Sequence, residues 1–543
     1  MRKSCFVLLL AAACGSDPEV DDAQLLTVTS GHVRPHGASD DCAPVIAALP
    51  ASVANVQCFV SADLTTANAA TTPADNSISG LPAGAYTPRT DRENIPGVTP
   101  GARYPITKIV PGLQISGTFA DQPMARWLIR LPAAWNGKLM VGVPAGARSE
   151  HALDVTHSDY AVQNGYAFAA SNKGHYASRP STAADPLACA VSPPGGTSEN
   201  VFVRLYQADL PQDQAFAGWV KRTVETTRLA KGVSAANYGH RPNYTYVSGN
   251  SVGGSVTRKL MEKAKPSGRA KQHGHDHDDA DDDDDDDDDD DSSGRDQFYK
   301  EFHGGLDWMP PYINSNDDYN GILSAFPSGL KNVPGYVASG FDKSGPSYAA
   351  IEAAHFPPDI IGAPSANSAT GSFLQTHFNT PWHVLECSAV RIFDPTYAGL
   401  MADYNYPQRF QEAHMKPLVD ALSTSGKLKR PLITIHGTMD ATATLYGSRL
   451  YRQDVIHRGK AHLHRLYEVQ NGTHRDKYRE APLSFPQIEN MVPTFVEAFE
   501  RLVAWVEFGQ QPPAGQCVPR AGTIVDDPAS AGRAEHCVNL LEP

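Results

Sequence analysis

Residues 244–254 read YTYVSGNSVGG. The aromatic and β-branched run Tyr244–Val247 predicts a strand, and Val252–Lys263 predicts a helix. Between them stands Gly249-Asn250-Ser251-Val252-Gly253, a G-x-S-x-G turn. A strand, a tight glycine-flanked turn and a helix together lift a serine hydroxyl off a sheet edge and set it beside a helix N-terminus. Bulky residues at 249 or 253 would clash in so sharp a bend. Alone, the motif is weak, because glycine and serine are common.

Two other stretches give it weight. Residues 431–440 read PLITIHGTMD, a strand Pro431–His436 running into a turn that ends at Asp440. Residues 469–474 read VQNGTH, a loop after a predicted strand Leu463–Glu468, ending at His474. The order Ser, Asp, His, each just past a strand, is the order of α/β-hydrolases and not of the chymotrypsin or subtilisin folds. The expected fold class is therefore α/β: an α/β-hydrolase fold with a mainly parallel central sheet flanked by helices and a large inserted lid domain.

In that arrangement Ser251 is the nucleophile, His474 its general base and Asp440 the group that holds the imidazole tautomer. An oxyanion needs backbone N–H donors. Val252, directly after the serine, supplies one. The second comes from the loop after the predicted strand Lys138–Val143. Pro144 has no N–H, which leaves Ala145 or Gly146. Asp476 is a rival acid, but it lies two residues past the histidine in the same loop.

The rest of the chain fits around this core. It has 543 residues, 41% hydrophobic, with 44 Gly and 42 Pro, so a sizeable core and many loops are expected. The formal charge of −14 is concentrated in one place, since residues 276–291 alone contain fourteen Asp. Outside that run the charges balance, and no basic footprint for nucleic acid exists. Self-repulsion makes 266–297 a solvated, disordered insertion, in which His273, His275 and His277 are weak candidates for divalent cations. The aromatic-rich, weakly periodic residues 310–425 read as the lid. Its aromatic side chains, Trp308 at its edge and Tyr312, Tyr319 and Tyr336 within, are expected mostly to pack together. The core then falls into 101–309 and 426–543, and 14–100 reads as a tether with a small irregular segment.

The N-terminus reads MRKSCFVLLLAAACGSD. Arg2 and Lys3 precede a short apolar run, as in a signal peptide spanning 1–13. Ala11-Ala-Ala before Cys14 is similar to a bacterial lipoprotein signal, which implies a lipid anchor on Cys14. An ordinary cleaved signal is the alternative. Gly15 in place of Asp favours the outer membrane by the same resemblance; otherwise the product is periplasmic or secreted. Six cysteines remain in an oxidising compartment. Short loops suggest Cys42–Cys58 and Cys517–Cys537, leaving Cys189–Cys387.

Four stretches carry a family resemblance: RLPAAWNGKLMVGV at 130–143, DYAVQNGYAFAASNKGH at 159–175, NYGHRPNYTYVSGNSVGGS at 237–255 and PLITIHGTMD at 431–440. With them the chain resembles the tannase and feruloyl esterase family. That family joins a Cys before its nucleophile to one after its catalytic His. Here those positions are Asn250 and Arg475, both lost together, which weakens any transfer of tannin or ferulate specificity. The resemblance implies a serine carboxylic-ester hydrolase working through an acyl-enzyme, with no required cofactor. A structural calcium in the lid is implied by the resemblance alone, and no ligands match it. The expected partner is a small-molecule or oligomeric ester, with no nucleic acid, and a membrane only through Cys14. Hydroxyalkanoate oligomers or peptides are the alternative substrates on the same fold. An inactive surface binding protein is the alternative from another class. The sequence is silent on oligomeric state.

Overall fold

The run ending at the G-x-S-x-G turn is a strand in the middle of a ten-stranded sheet. The computed structural model describes residues 41–72, 104–146, 148–174, 178–181, 188–191, 201–204, 215–263, 301–357, 389–390, 393–399, 403–474 and 487–538. In chain order the strands are β1 Val53–Ser61, β2 Gly112–Phe119, β3 Gln122–Pro132, β4 Lys138–Val143, β5 Ala167–Ser171, β6 Ser178–Ser181, β7 Ala188–Val191, β8 Val201–Arg204, β9 Tyr244–Asn250, β10 Gly304–Trp308, β11 Leu432–Gly437, β12 His464–Val469 and β13 Gln516–Val518. The main sheet runs β1-β2-β3-β5-β4-β9-β10-β11-β12-β13, and β6, β8 and β7 form a separate three-stranded sheet.

Across the main sheet from β5 to β13 every pairing is parallel, while β1/β2, β2/β3 and β3/β5 are antiparallel. Parallel strands need crossovers, which put helices on both faces and bury both faces of each strand. Alternation shows this directly. On β4, Leu139, Val141 and Val143 face one core and Met140 the other. Helices α1 (Ala215–Tyr238) and α2 (Val252–Lys263) cover the first face through Trp219, Val224, Val233, Val256 and Leu260. Tyr451 and Val455 of α3 (Leu445–His457) join them. Helix α4 (Met491–Phe508) covers the other face with Phe495, Phe499 and Leu502. This is the α/β-hydrolase fold.

The N-terminal segment departs from expectation. Residues 53–61 are not irregular: they form β1, paired with β2 at the edge of the main sheet. The strand was disguised by a bulge between Ala54 and Gln57, where Asn55 takes a positive φ of 51°. A bulge breaks the period-2 pattern that betrays a strand. Beyond it, Thr66 and Thr72 bond to the buried Asp159 and Asp154 of the main body. The disulfide Cys42–Cys58 ties the short helix Ala43–Ala47 to β1, and Cys517–Cys537 ties β13 to the C-terminal tail.

Between β10 and β11 the described residues form short helices, among them Ala325–Leu330, Val333–Ala338 and Pro346–Ala353, and no strand. Tyr312 and Tyr336 are buried. Trp308, grouped with the lid by sequence, is instead the last residue of β10 and packs near His157 and Phe495. The signal segment, Cys14, the Asp-rich run with its three histidines, Cys387 of the third cysteine pair, Arg475 and Asp476 lie outside the described residues.

Candidate active site

Ser251 sits between β9 and α2 with a φ of 56°, a left-handed conformation that is rare outside glycine. Such a backbone is held only where its surroundings dictate it. Here the Ser251 N–H donates to Trp308 O at 2.9 Å, locking the turn to the end of β10. The flanking glycines are steric necessities. A Cβ on Gly249 would overlap Gly253 O, and one on Gly253 would overlap the carbonyl of Val143 at the end of β4. The turn therefore abuts the loop after β4, where Ala145 and Gly146 lie. Pro144 O accepts a hydrogen bond from Nζ of the buried Lys173 at 2.7 Å. Val252 is the first residue of α2, so its N–H belongs to the helix's first turn, whose N–H groups have no intrahelical acceptor.

Asp440 and His474 meet at the same carboxyl edge of the sheet. Parallel register places Asn250 opposite Trp308, Trp308 opposite Ile435, and Gly437 opposite Val469. The loops that follow β11 and β12 then zip together. Thr438 N–H donates to Val469 O at 3.0 Å and Met439 N–H to Gly472 O at 2.8 Å. His474 Nδ1 lies 2.7 Å from Asp440 Oδ2. The other oxygen, Oδ1, accepts from the N–H groups of Thr442 at 2.7 Å and Ala443 at 2.9 Å. Burial alone would push the Asp440 carboxyl up, but His474 and His436 beside it hold it well below the usual carboxylate range.

Sequence reasoning passed over three polar residues next to the acid. His436 on β11 is fully buried; Nε2 lies 2.7 Å from Ala443 O and 3.4 Å from Asp440 Oδ2. Ser448 of α3 and Arg258 of α2 stand behind it. The signal was present as polar residues, Thr434 and His436, on alternate positions of an otherwise apolar strand. A different histidine, His157, lies against Ser248 Oγ at 3.0 Å and packs, tilted, against the Phe495 ring at 4.4 Å, on the other face of the sheet. Burial pushes its imidazole down to about 3, so it stays neutral.

Among the described residues no group of three or more His, Cys, Asp and Glu is placed to hold a metal ion. Among them, too, no helix is long and apolar enough to cross a membrane. The two disulfides fit an oxidising compartment.

No family model and no curated protein sequence matches the chain. Among solved structures it is similar to feruloyl esterase B from Aspergillus oryzae at 13% identity and TM-score 0.39, over 80% of this chain and 86% of that one. It is also similar to an esterase from Aspergillus oryzae at 12% and 0.43, over 87% and 90%. Tannin acyl hydrolase from Aspergillus niger matches at 13% and 0.43, over 87% of each chain. Likeness this distant transfers no substrate.

Proposed function

We propose that this chain is a serine carboxylic-ester hydrolase, tannase- or feruloyl-esterase-like in its chemistry. Ser251, His474 and Asp440 form the triad. The observation that carries the proposal is the 2.7 Å contact of His474 Nδ1 with a buried, fully accepted Asp440 carboxylate, on the sheet edge where the Ser251 turn also ends. That contact commits Nδ1, which leaves Nε2 as the ring nitrogen to take a proton from a hydroxyl.

The mechanism follows. Ser251 Oγ attacks the ester carbonyl as His474 Nε2 removes its proton. Negative charge on the carbonyl oxygen is met by the Val252 N–H and an N–H from Ala145 or Gly146. His474 returns the proton to the departing alcohol, leaving an acyl-serine. Water, deprotonated by the same imidazole, releases the acid. No metal or organic cofactor takes part in any of these steps.

The location belongs to the same proposal: export by the 1–13 signal and anchoring through Cys14 at the outer membrane. An oxidising compartment for Cys42–Cys58 and Cys517–Cys537 supports it. The test is treatment of the purified mature protein with a fluorophosphonate and mapping of the adduct by peptide mass spectrometry, followed by a panel of feruloyl, galloyl, hydroxybutyrate and peptide substrates. An adduct on Ser251 with turnover of esters is the expected outcome. A folded protein that takes no adduct and turns over none of the panel would sink the proposal.

A further inference from the structure

A buried chain of hydrogen bonds runs from the helix that begins at the Ser251 turn to the Ala443 carbonyl, beside the carboxylate of Asp440. It starts at Arg258, two helical turns along α2 and almost fully buried. Its Nε donates to Asp307 Oδ2 of β10 at 2.7 Å, its guanidinium lies 4.1 Å from the Tyr451 ring centroid, and its Nη2 donates to Ser448 Oγ at 2.9 Å. Ser448 Oγ lies 2.8 Å from His436 Nδ1. On the far side of that ring, Nε2 meets Ala443 O at 2.7 Å and Asp440 Oδ2 at 3.4 Å.

Donor and acceptor inventories fix both ends of this chain. A guanidinium has only donors, so Ser448 Oγ accepts from Arg258 and its own proton is free for His436 Nδ1. A carbonyl and a carboxylate have only lone pairs, so His436 Nε2 must carry the hydrogen that faces them. His436 Nε2 therefore carries a hydrogen whichever way Nδ1 pairs with Ser448 Oγ, a hydroxyl that can donate to the ring nitrogen or accept from it. The other charged and titratable groups around the ring have partners of their own or stand on its Nε2 side. Arg258 and Asp307 pair with each other, and His464 of β12 is occupied by Thr434 Oγ1 at 2.8 Å. Asp440 and His474 stand on the Nε2 side.

We propose that His436 is a positioning residue of the triad, its Nε2–H aimed at the Ala443 carbonyl and Asp440 by the contact of Nδ1 with the Arg258-bound Ser448. It clamps the Ala443 carbonyl and so the turn whose N–H groups hold Asp440 Oδ1, and it shares the charge on Oδ2 with His474. The proposal rests on the triad reading above. It also links the acid's turn to the nucleophile's own helix, so that the two are set in place by one buried network.

The test uses the full mature protein and p-nitrophenyl butyrate. His436→Met keeps bulk and loses the donor, while His436→Gln returns an N–H near the Nε2 position. We expect His436→Met to lower kcat about ten- to hundred-fold, the scale of a misplaced catalytic group, with KM nearly unchanged. His436→Gln restores most of the loss. Removing one donor concentrates the Asp440 charge on His474 and favours its imidazolium, so the acid limb of the kcat/KM profile moves to higher pH. A role confined to packing would not move that limb. Ser448→Ala, a small change that tests the relay if His436→Met does not fold, lowers kcat several-fold with the same limb shift. In an Asp440→Asn background, followed by the rate of fluorophosphonate inactivation, neither substitution costs anything further. Folded variants with wild-type kcat, or equal losses in both backgrounds, overturn the proposal. Adduct formation at Ser251 of the wild-type protein separates this failure from failure of the triad itself.

Discussion

The side chains of Asp440 and His474, 34 residues apart in sequence, meet at 2.7 Å because the loops that carry them are stitched backbone to backbone. Thr438 and Met439 donate to the β12 loop, and Asn471 N–H returns a bond to Thr438 Oγ1 at 2.9 Å. Gly437 and Gly472 are in such close contact that a Cβ on Gly437 would overlap the Gly472 backbone. The pair is thus placed by main-chain geometry before any side-chain preference acts.

Asp440→Asn therefore removes the charge and leaves the placement. An amide offers His474 Nδ1 either an N–H or a weaker acceptor, so the imidazole loses both its tautomer control and its counter-charge. We expect kcat to fall by about 10⁴, with the melting temperature nearly unchanged, as when the acid of a hydrolase triad becomes an amide. Steady-state ester kinetics alongside thermal melts check this, and a loss below about tenfold would remove Asp440 from the triad.

The Ser251 turn depends on Gly253 for a steric reason. Gly253→Ala pushes a methyl into the Val143 carbonyl, which is backbone and cannot swing away. Overpacking of this kind costs about 1–3 kcal/mol, and here it also pries the turn from the loop after β4. Both a lowered melting temperature and a slowed fluorophosphonate reaction are expected. A stable, fully reactive Gly253→Ala would show that the elbow does not rest on β4.

Much of the candidate site's placement was legible in the sequence because Ser251, Asp440 and His474 each follow a strand by a short, glycine-bearing turn. Strand, turn and helix are local patterns: β11, β12 and α2 fall within a residue of their predicted bounds, and β9 runs three residues past its own. The relay through His436, Ser448 and Arg258 was not legible, because nothing local marks which residues of three separate elements share a space. β1 escaped for a third reason, the bulge at Asn55 that breaks its alternation.

Asp159 gives a pH prediction. It is buried and accepts from Thr66 N–H at 2.8 Å and Thr66 Oγ1 at 2.6 Å. Burial pushes its carboxyl up from 3.8 to about 7, the Thr66 bonds opposing only part of that. A carboxyl raised in the folded state binds its proton more tightly folded than unfolded. Its contribution is fully present below the unfolded value and declines as pH rises through about 7. Asp159→Asn cannot ionise, so its denaturant midpoint should fall less than the wild type's between pH 4 and 7. Parallel midpoint curves for the two proteins would discard the assignment.

The C-terminal tail is secured at Glu468 as well as by its disulfide. Glu468 is fully buried on β12 and accepts from Arg449 Nε at 2.8 Å and Nη2 at 2.7 Å, and from Cys537 N–H at 2.9 Å; His536 Nδ1 lies 2.6 Å away. Opening Cys517–Cys537 frees the tail to leave that carboxylate. A loop of 20 residues corresponds to about 3 kcal/mol in the chain-entropy account. The double variant Cys517→Ser/Cys537→Ser should lose stability of that order in denaturant titrations while keeping Ser251 reactive. Loss of the fluorophosphonate reaction in a folded double variant would tie the tail to the site.

Lys173 bears on the loop proposed to supply an oxyanion donor. It is almost fully buried with a positive φ of 58°, its Nζ donates to Pro144 O at 2.7 Å, and it lies 5.3 Å from the Trp219 ring centroid. In a trans peptide the carbonyl and the following N–H point in opposite directions. Holding the Pro144 oxygen therefore also aims the Ala145 N–H, one of the two candidates for the loop-side oxyanion donor. Lys173→Met keeps the stem and removes the clamp. It should lower kcat by up to about a hundredfold, less than the loss of a whole oxyanion donor, with little change in KM. Binding of a charged transition-state mimic such as a boronic acid should weaken in step with kcat. If kcat falls while boronate affinity holds, Lys173 acts on the fold and not on the stabilisation of charge.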